Sequence, residues 1–191
     1  YGGLPQTFEI LDSQDQLAAI KRMSKGMNVD EERFPPRELM YFINGQKEEG
    51  IRPREVRVTD ETTKGYASLY AAYDEQCQRE GVVDFAELLL RCYELLARNE
   101  ILREHYSQRF RYILVDEFQD TNRLQYRWLK LLSGHPRPPQ AGGSLVFAVG
   151  DDATRYRNFS DPSDPVAVIA CDEKAERESP SVFQRLDIVR W

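Results

Sequence analysis

Residues 112–122 read Tyr112-Ile113-Leu114-Val115-Asp116-Glu117-Phe118-Gln119-Asp120-Thr121-Asn122. A short β-branched and aromatic run stops abruptly at two carboxylates, the mark of a buried strand that ends at the surface. Downstream, Leu124, Trp128, Leu131 and Leu132 share one face of an expected helix over about 122–133, closed by Gly134. Residues 134–144 are rich in Gly and Pro and read as a loop. Leu145-Val146-Phe147-Ala148-Val149 then forms a second apolar run, ending at Gly150-Asp151-Asp152. Strand, crossover helix, strand implies a parallel sheet covered on both faces, hence an α/β fold.

Both expected strands end in acids. In an open parallel sheet ligands bind beyond the carboxyl ends of the strands. Carboxylates there repel phosphate but can hold Mg²⁺, which takes one or two of them plus waters. A second carboxylate beside the ion can orient and deprotonate water. Apolar residues ending in Asp-Glu therefore form a Walker-B pattern for nucleotide hydrolysis. The alternative is a solvated strand end whose acids favour the next helix N-terminus. Thr121 and Asn122 read best as the cap of that helix.

Upstream, the chain reads as helices. Ser13 with Gln16 has capping-box spacing ahead of Leu17 and Ile20, and Gly26 stops that helix. Pro35 and Pro36 open a second, with Leu39, Phe42, Ile43 and Gln46, ended by Gly50. A third spans about 63–80, with Tyr66, Leu69, Tyr70, Tyr73 and Cys77 at steps of three and four, closed by Gly81. Asp84 and Glu87 begin a fourth, whose expected apolar stripe is Phe85, Leu88, Leu89, Cys92 and Leu96. Beyond 153 the pattern weakens, with one further possible strand over 166–170.

The chain has 191 residues, 41% of them hydrophobic and 30% charged, enough for a packed core without disulfides or structural metal. Its net charge of −6 argues against coating nucleic acid through bulk charge, while allowing a local basic groove. Cys77, Cys92 and Cys171 are odd in number and form no C-x-x-C pair, which fits a reducing, cytoplasmic setting and buried thiols. No stretch reaches the ~18 apolar residues of a membrane span. The first residues, Tyr1-Gly2-Gly3-Leu4-Pro5, lack a leader pattern and an initiator Met. The chain is expected to begin inside a longer protein.

The string from Ile113 to Asn122 closely resembles motif II of the UvrD/Rep/PcrA family of superfamily 1 DNA helicases. Gln125-Tyr126, Leu129, Leu131-Leu132 and Val149-Gly150-Asp151-Asp152 resemble the family segment between motif II and the start of motif III. Val83 to Leu89 resembles the segment before motif II, and residues 4–12 and 42–47 resemble the family's inserted helical subdomain. The resemblance implies a partial P-loop NTPase (RecA-like) parallel sheet with a mostly α-helical inserted subdomain. Residues 1–82 would be the insertion, 83–152 part of the first core, and 153–191 a divergent tail. It implies a 3′-to-5′ motor on single-stranded and duplex DNA that uses ATP and Mg²⁺, associated with DNA repair. Asp116 would hold Mg²⁺ and Glu117 would be the general base. Gln119 and Asp120 would couple the nucleotide to neighbouring motifs, with Gly150 and Asp151 in the nucleotide site. Lys47, Arg52 and Arg54 are candidate DNA phosphate contacts, with a solvated charged face as the alternative.

The chain departs from the family pattern in three ways. It holds no G-x-x-x-x-G-K-[ST] loop, the phosphate cradle. Where the family continues motif III with Gln and then Trp-Arg, Thr154, Phe159 and Ser160 stand here. The second RecA-like core, the missing remainder of the helicase, is not in these 191 residues. The expectation is a fragment that does not hydrolyse ATP at a useful rate alone. A non-catalytic DNA- or protein-binding module is the alternative. A metal-dependent nuclease built from Asp116, Glu117, Asp120, Asp151 and Asp152 ranks last.

Overall fold

The computed structural model describes Leu4 and residues 7–110, 112–133, 145–148 and 166–168. These residues are mostly helical, with two small parallel sheets. They group into two compact units, Tyr1–Arg98 with Asn122–Trp128, and Asn99–Thr121 with Leu129–Trp191.

The first unit begins with strand β1 (Glu9–Leu11) and helix α1 (Ser13–Gly26). Asp12, not Ser13, caps α1: its carboxylate accepts the N–H groups of Gln14 and Asp15, both at 2.8 Å. A carboxylate one residue earlier reaches the same orphan donors and carries the favourable charge for a helix start. Gln16 is thereby freed from the expected capping box and is buried instead. Helix α2 (Pro36–Glu48) opens on Pro36 as expected, and Gly50 turns the chain away at φ 80°. Helix α3 (Glu61–Glu80) starts two residues before the sequence pattern predicts, because Asp60 caps it through the Thr63 N–H at 2.7 Å. Gly81 closes it in the left-handed region, φ 70°. Strand β2 (Val82–Asp84) pairs in parallel with β1, Ile10 opposite Val83, and runs directly into helix α4 (Phe85–Arg98).

Ala19, Ile20, Met23, Leu39, Ile43, Leu69, Tyr70, Tyr73 and Cys77 form one buried cluster between α1, α2 and α3. The periodicity predicts most of this set. The stripe expected on α4 is different: its buried residues are Glu87, Leu90 and Leu96, while Phe85 and Cys92 are exposed. The inward face of α4 is partly ionic, which apolar periodicity cannot register.

The second unit holds helix α5 (Glu100–Arg109), capped by Asn99 through the Leu102 N–H at 3.0 Å. The sequence pattern predicts no helix here, since α5 has no buried residue and so no apolar stripe. Strands β3 (Tyr112–Val115), β4 (Leu145–Ala148) and β5 (Val166–Val168) form a sheet in the order β3-β4-β5, all parallel. Tyr112 pairs with Leu145 and Val115 with Ala148. The expected parallel pair is present in register, and β5 lies at the start of the expected 166–170 strand. The expected covering of both sheet faces is not met at β3: Tyr112 and Leu114, on one of its faces, are 74% and 59% exposed among the described residues.

Helix α6 (Arg123–Ser133) begins in the first unit and ends in the second. Asn122 Oδ1 accepts the Gln125 N–H and Gln125 Oε1 accepts the Asn122 N–H, each at 2.9 Å. The capping role read for Asn122 is therefore present, as a reciprocal box. Leu124, Leu129 and Leu132 are buried apolar residues of this helix, while Trp128 and Leu131 are half-buried.

Candidate nucleotide and nucleic-acid sites

Asp116 and Glu117 come immediately after β3, at the carboxyl end of a strand paired in parallel with β4. Both are exposed. Asp116 Oδ1 accepts the Glu117 N–H at 2.9 Å, which fixes the carboxylate against its own backbone. Glu117 sits at φ 49°, ψ 43°, in the left-handed region. A non-glycine residue there costs on the order of 1–3 kcal/mol and persists where the surroundings impose it, most often at functional sites. The chain then makes a 3₁₀ turn, Phe118–Asp120, closed by Asp120 N–H to Glu117 O at 2.9 Å. Phe118 is buried and anchors the turn, while Asp120 is exposed.

This donor set fits Mg²⁺. One or two carboxylates at an open strand end, with water completing the shell, is how that ion is usually held beside a phosphate. Among the described residues no group of three or more metal-ligating side chains assembles, so there is no all-protein cage here. Gly150 and Asp151, the other expected nucleotide-site residues, lie outside the described residues, as do Asp152, Thr154, Phe159 and Ser160.

A second candidate site lies within the first unit. Leu11, Gln16, Asn44, Phe85, Asn122 and Gln125 line a cleft together with Leu89 and Leu124. Four of these are amide side chains. Gln16, 3% exposed, donates to Asn44 Oδ1 at 2.8 Å and accepts from Asn44 Nδ2 at 3.2 Å. Phe85, the first residue of α4, is 64% exposed beside them. Gln16 and Asn44 are already paired with each other, and the side-chain oxygens of Asn122 and Gln125 cap α6. What the cleft offers a nucleobase is the uncovered Phe85 face, edged by the Asn122 and Gln125 amide nitrogens, with the Glu48 carboxylate also on its wall. The apolar stripe expected on α4 places Phe85 in the core, because periodicity cannot distinguish a covered first-turn position from one overhanging the end of the core.

The expected phosphate contacts need correction. Lys47 is neither a phosphate contact nor part of a solvated face: it is 1% exposed. Its ammonium lies 2.7 Å from Asp84 Oδ2 and 3.1 Å from Glu87 Oε2. It also stands over the Tyr73 ring at 5.3 Å. Arg52 is half-buried and donates to Glu94 at 2.7 and 2.9 Å and to Glu87 at 2.9 and 3.0 Å. Both cations are spent on carboxylates of α4 and the residue before it. Arg54 is exposed, on the 3₁₀ turn Pro53–Glu55.

Asp84 is the hub of this network. Oδ2 accepts from Lys47, from Tyr73 Oη at 3.0 Å and from Gln16 Nε2 at 3.3 Å, while Oδ1 caps α4 through the Glu87 N–H at 2.7 Å. Burial alone would raise the Glu87 pKa, but the neighbouring Lys47, Arg52 and Arg91 charges together hold it below the ordinary value. Asp74 moves the other way, raised by burial and by the Glu87 charge. Burial raises the Tyr73 phenol, and the Asp84 charge raises it further, so it stays a donor. Burial also pushes the Cys77 thiol up to about 11, consistent with an inert core thiol.

Among the described residues no helix is long and apolar enough to cross a membrane. The family model for the UvrD/REP helicase N-terminal domain matches residues 1–153. The DNA helicase II of Escherichia coli is 49% identical over 150 residues, covering 78% of this chain and 20% of that protein. The DNA helicase II of Haemophilus influenzae is 47% identical over 151 residues, with the same coverage. The ATP-dependent DNA helicase PcrA of Staphylococcus aureus is 35% identical over 133 residues, 69% of this chain and 18% of that protein. The chain thus spans about a fifth of the length of the curated relatives it matches. The strand-borne acid pair and helices α1 to α6 fall inside the matched residues, and the chain belongs to the UvrD/REP helicase N-terminal domain family.

Proposed function

We propose that this chain supplies the Walker-B half of the first RecA-like core, with the inserted helical subdomain, of an ATP-dependent 3′-to-5′ DNA helicase. The observation that carries the proposal is the acid pair Asp116-Glu117 at the carboxyl end of β3, in a parallel sheet, with Glu117 held in the left-handed region. Asp116 would hold Mg²⁺, which when bound supplies charge neutralisation at phosphate oxygens. Glu117 would accept the proton of the attacking water, and the 3₁₀ turn carrying Gln119 and Asp120 would relay the state of the site to α6. Gly150 and Asp151 are assigned to the same site from the motif alone. ATP's phosphate cradle is not among these residues, so the isolated chain should turn over ATP far more slowly than an intact motor. Its substrate would be DNA in the cytoplasm, in repair.

The test replaces the matching segment of the Escherichia coli relative with residues 1–152. The expected chimera hydrolyses ATP when single-stranded DNA is added and unwinds duplexes with a 3′ tail rather than a 5′ tail. Glu117→Gln should lower its turnover by about 10²–10⁴-fold. An unaffected Glu117→Gln chimera would refute the assignment of the base. Turnover near 1 s⁻¹ by the 191-residue chain, at the low end for phosphoryl transfer, would refute its incompleteness.

A second reading, a non-catalytic single-strand-binding module, is favoured by the Phe85 cleft, which lies wholly within the first unit. Salt-dependent binding of oligo-dT by the isolated chain without ATP would support it. The two readings share the cleft and differ in whether the acid pair is used. The nuclease alternative would require DNA cleavage with Mg²⁺ and no ATP.

A further inference from the structure

We propose that Lys47, Tyr73 and Asp84 are positioning residues that hold Phe85 for stacking against the bases of a single strand, without touching nucleic acid themselves. This rests on the reading of the Phe85 cleft as a single-strand site. Asp84 is covalently next to Phe85 and is almost wholly buried, 2% exposed. Four hydrogen bonds fix its side chain. Lys47 Nζ at 2.7 Å, Tyr73 Oη at 3.0 Å and Gln16 Nε2 at 3.3 Å converge on Oδ2, and the Glu87 N–H at 2.7 Å meets Oδ1. Three of them come from α1, α2 and α3 and the fourth is α4's own cap, so the backbone entering α4 is fixed from three other helices. Phe85 is 64% exposed, so its place in the cleft is inherited from Asp84. Gln16 belongs to both groups, since it binds Asp84 and lines the cleft with Asn44. A lysine 1% exposed cannot meet a phosphate, yet its loss would still weaken base recognition.

The experiment uses the 191-residue chain and two strands of about 12 nucleotides, within the range one single-strand site covers. One is oligo-dT and the other is an abasic strand with the same number of phosphates. Affinity for each is measured across a salt series. Phe85→Ala should reduce the preference for dT over the abasic strand by about 5- to 100-fold, the worth of one aromatic stack. Tyr73→Phe and Lys47→Met should each lower dT affinity by about 3-fold or more, with abasic affinity and salt slope unchanged. An equal loss on both strands would mean general destabilisation. A salt slope flattened by about 0.7 would mean that Lys47 contacts a phosphate. Either result overturns the proposal, and so does an unchanged preference in both variants when Phe85→Ala lowers it. If Phe85→Ala itself has no effect, or the wild-type chain shows no preference for dT, the single-strand reading fails first and takes this proposal with it. Should Lys47→Met fail to fold, Tyr73→Phe, which keeps the ring and removes one hydroxyl, decides alone.

Discussion

Lys47→Met removes the ammonium from a site where the side chain is 1% exposed and both carboxylate partners are 3% exposed. In the surrounding network Asp74, Asp84, Glu87 and Glu94 face Lys47, Arg52 and Arg91, and the substitution leaves four carboxylates against two cations. Breaking a buried pair by deleting one partner typically costs about 3–5 kcal/mol, because the remaining charge stays desolvated. Here the remaining charges keep partners. Glu87 retains Arg52 at 2.9 Å and Arg91, and Asp84 retains Tyr73, Gln16 and the Glu87 N–H. The cost should therefore fall at the lower end, about 3 kcal/mol, well above the ~0–1 kcal/mol of an exposed pair. With a urea slope of about 1–3 kcal/mol/M, the midpoint should fall by about 1–3 M while the slope itself holds. The near-UV signal of the buried tyrosines reports on this unit. A midpoint shift below about 0.3 M, equivalent to an exposed pair at these slopes, would refute the claim that Lys47 compensates buried charge.

Three further outcomes can be measured in the same way. Glu87, held below its ordinary pKa, contributes stability that is present above the unfolded value near 4.3 and lost as pH falls through the folded value. Asp74, held above its ordinary value, has the opposite sign, so its penalty at neutral pH is relieved first on acidification. Urea midpoints from pH 7 to pH 3 should therefore pass through a shallow maximum and then fall, and a steady rise down to pH 3 would contradict the Glu87 assignment. Gly65→Ala would place a methyl 2.7 Å from Phe34 Cε1, in a ring already set edge-on to Tyr66 at 5.1 Å. Overpacking should cost about 1–3 kcal/mol and lower Tm by several degrees, and adding Phe34→Ala should recover part of the loss. Asn122→Ala removes one half of the α6 capping box and should cost about 1 kcal/mol in urea unfolding, with no loss at all counting against the box.

The legible parts of the fold are those where one local interaction decides the outcome. The run Tyr112–Val115 with its acid pair, the opening Pro36, the Gly81 stop and the α3 stripe all stand where periodicity and turn chemistry place them. Three features are not legible. The cap of α1 falls on Asp12 because two neighbouring residues could both cap, and only geometry chooses between them. Helix α5 has no buried face, and so it leaves no pattern. The inward face of α4 contains Glu87 because Lys47 and Arg52, far earlier in the chain, neutralise it. A long-range ion pair has no period, so charge at both ends reads as surface.

The same pairs bear on how the proposed helicase piece is built. Lys47 and Arg52 lie in the stretch resembling the inserted subdomain, while Asp84, Glu87, Arg91 and Glu94 lie in the stretch resembling the core. A junction held only by apolar contact could slide at small cost, since dispersion is non-directional. Here sliding by a single helical turn would separate buried Lys47 and half-buried Arg52 from three carboxylates and strand the charges on both sides. Each alternative register is therefore strongly disfavoured, even if the network adds little to net stability. Apolar replacement of its four central members, leaving Asp74, Arg91 and Glu94 at the half-buried margin, would test this directly. Lys47→Met, Arg52→Met, Asp84→Leu and Glu87→Leu together should unfold less readily than Lys47→Met alone, yet lose the discrimination between dT and abasic strands. If the quadruple variant keeps that discrimination, packing suffices to place Phe85 and the ion pairs are not what sets the register.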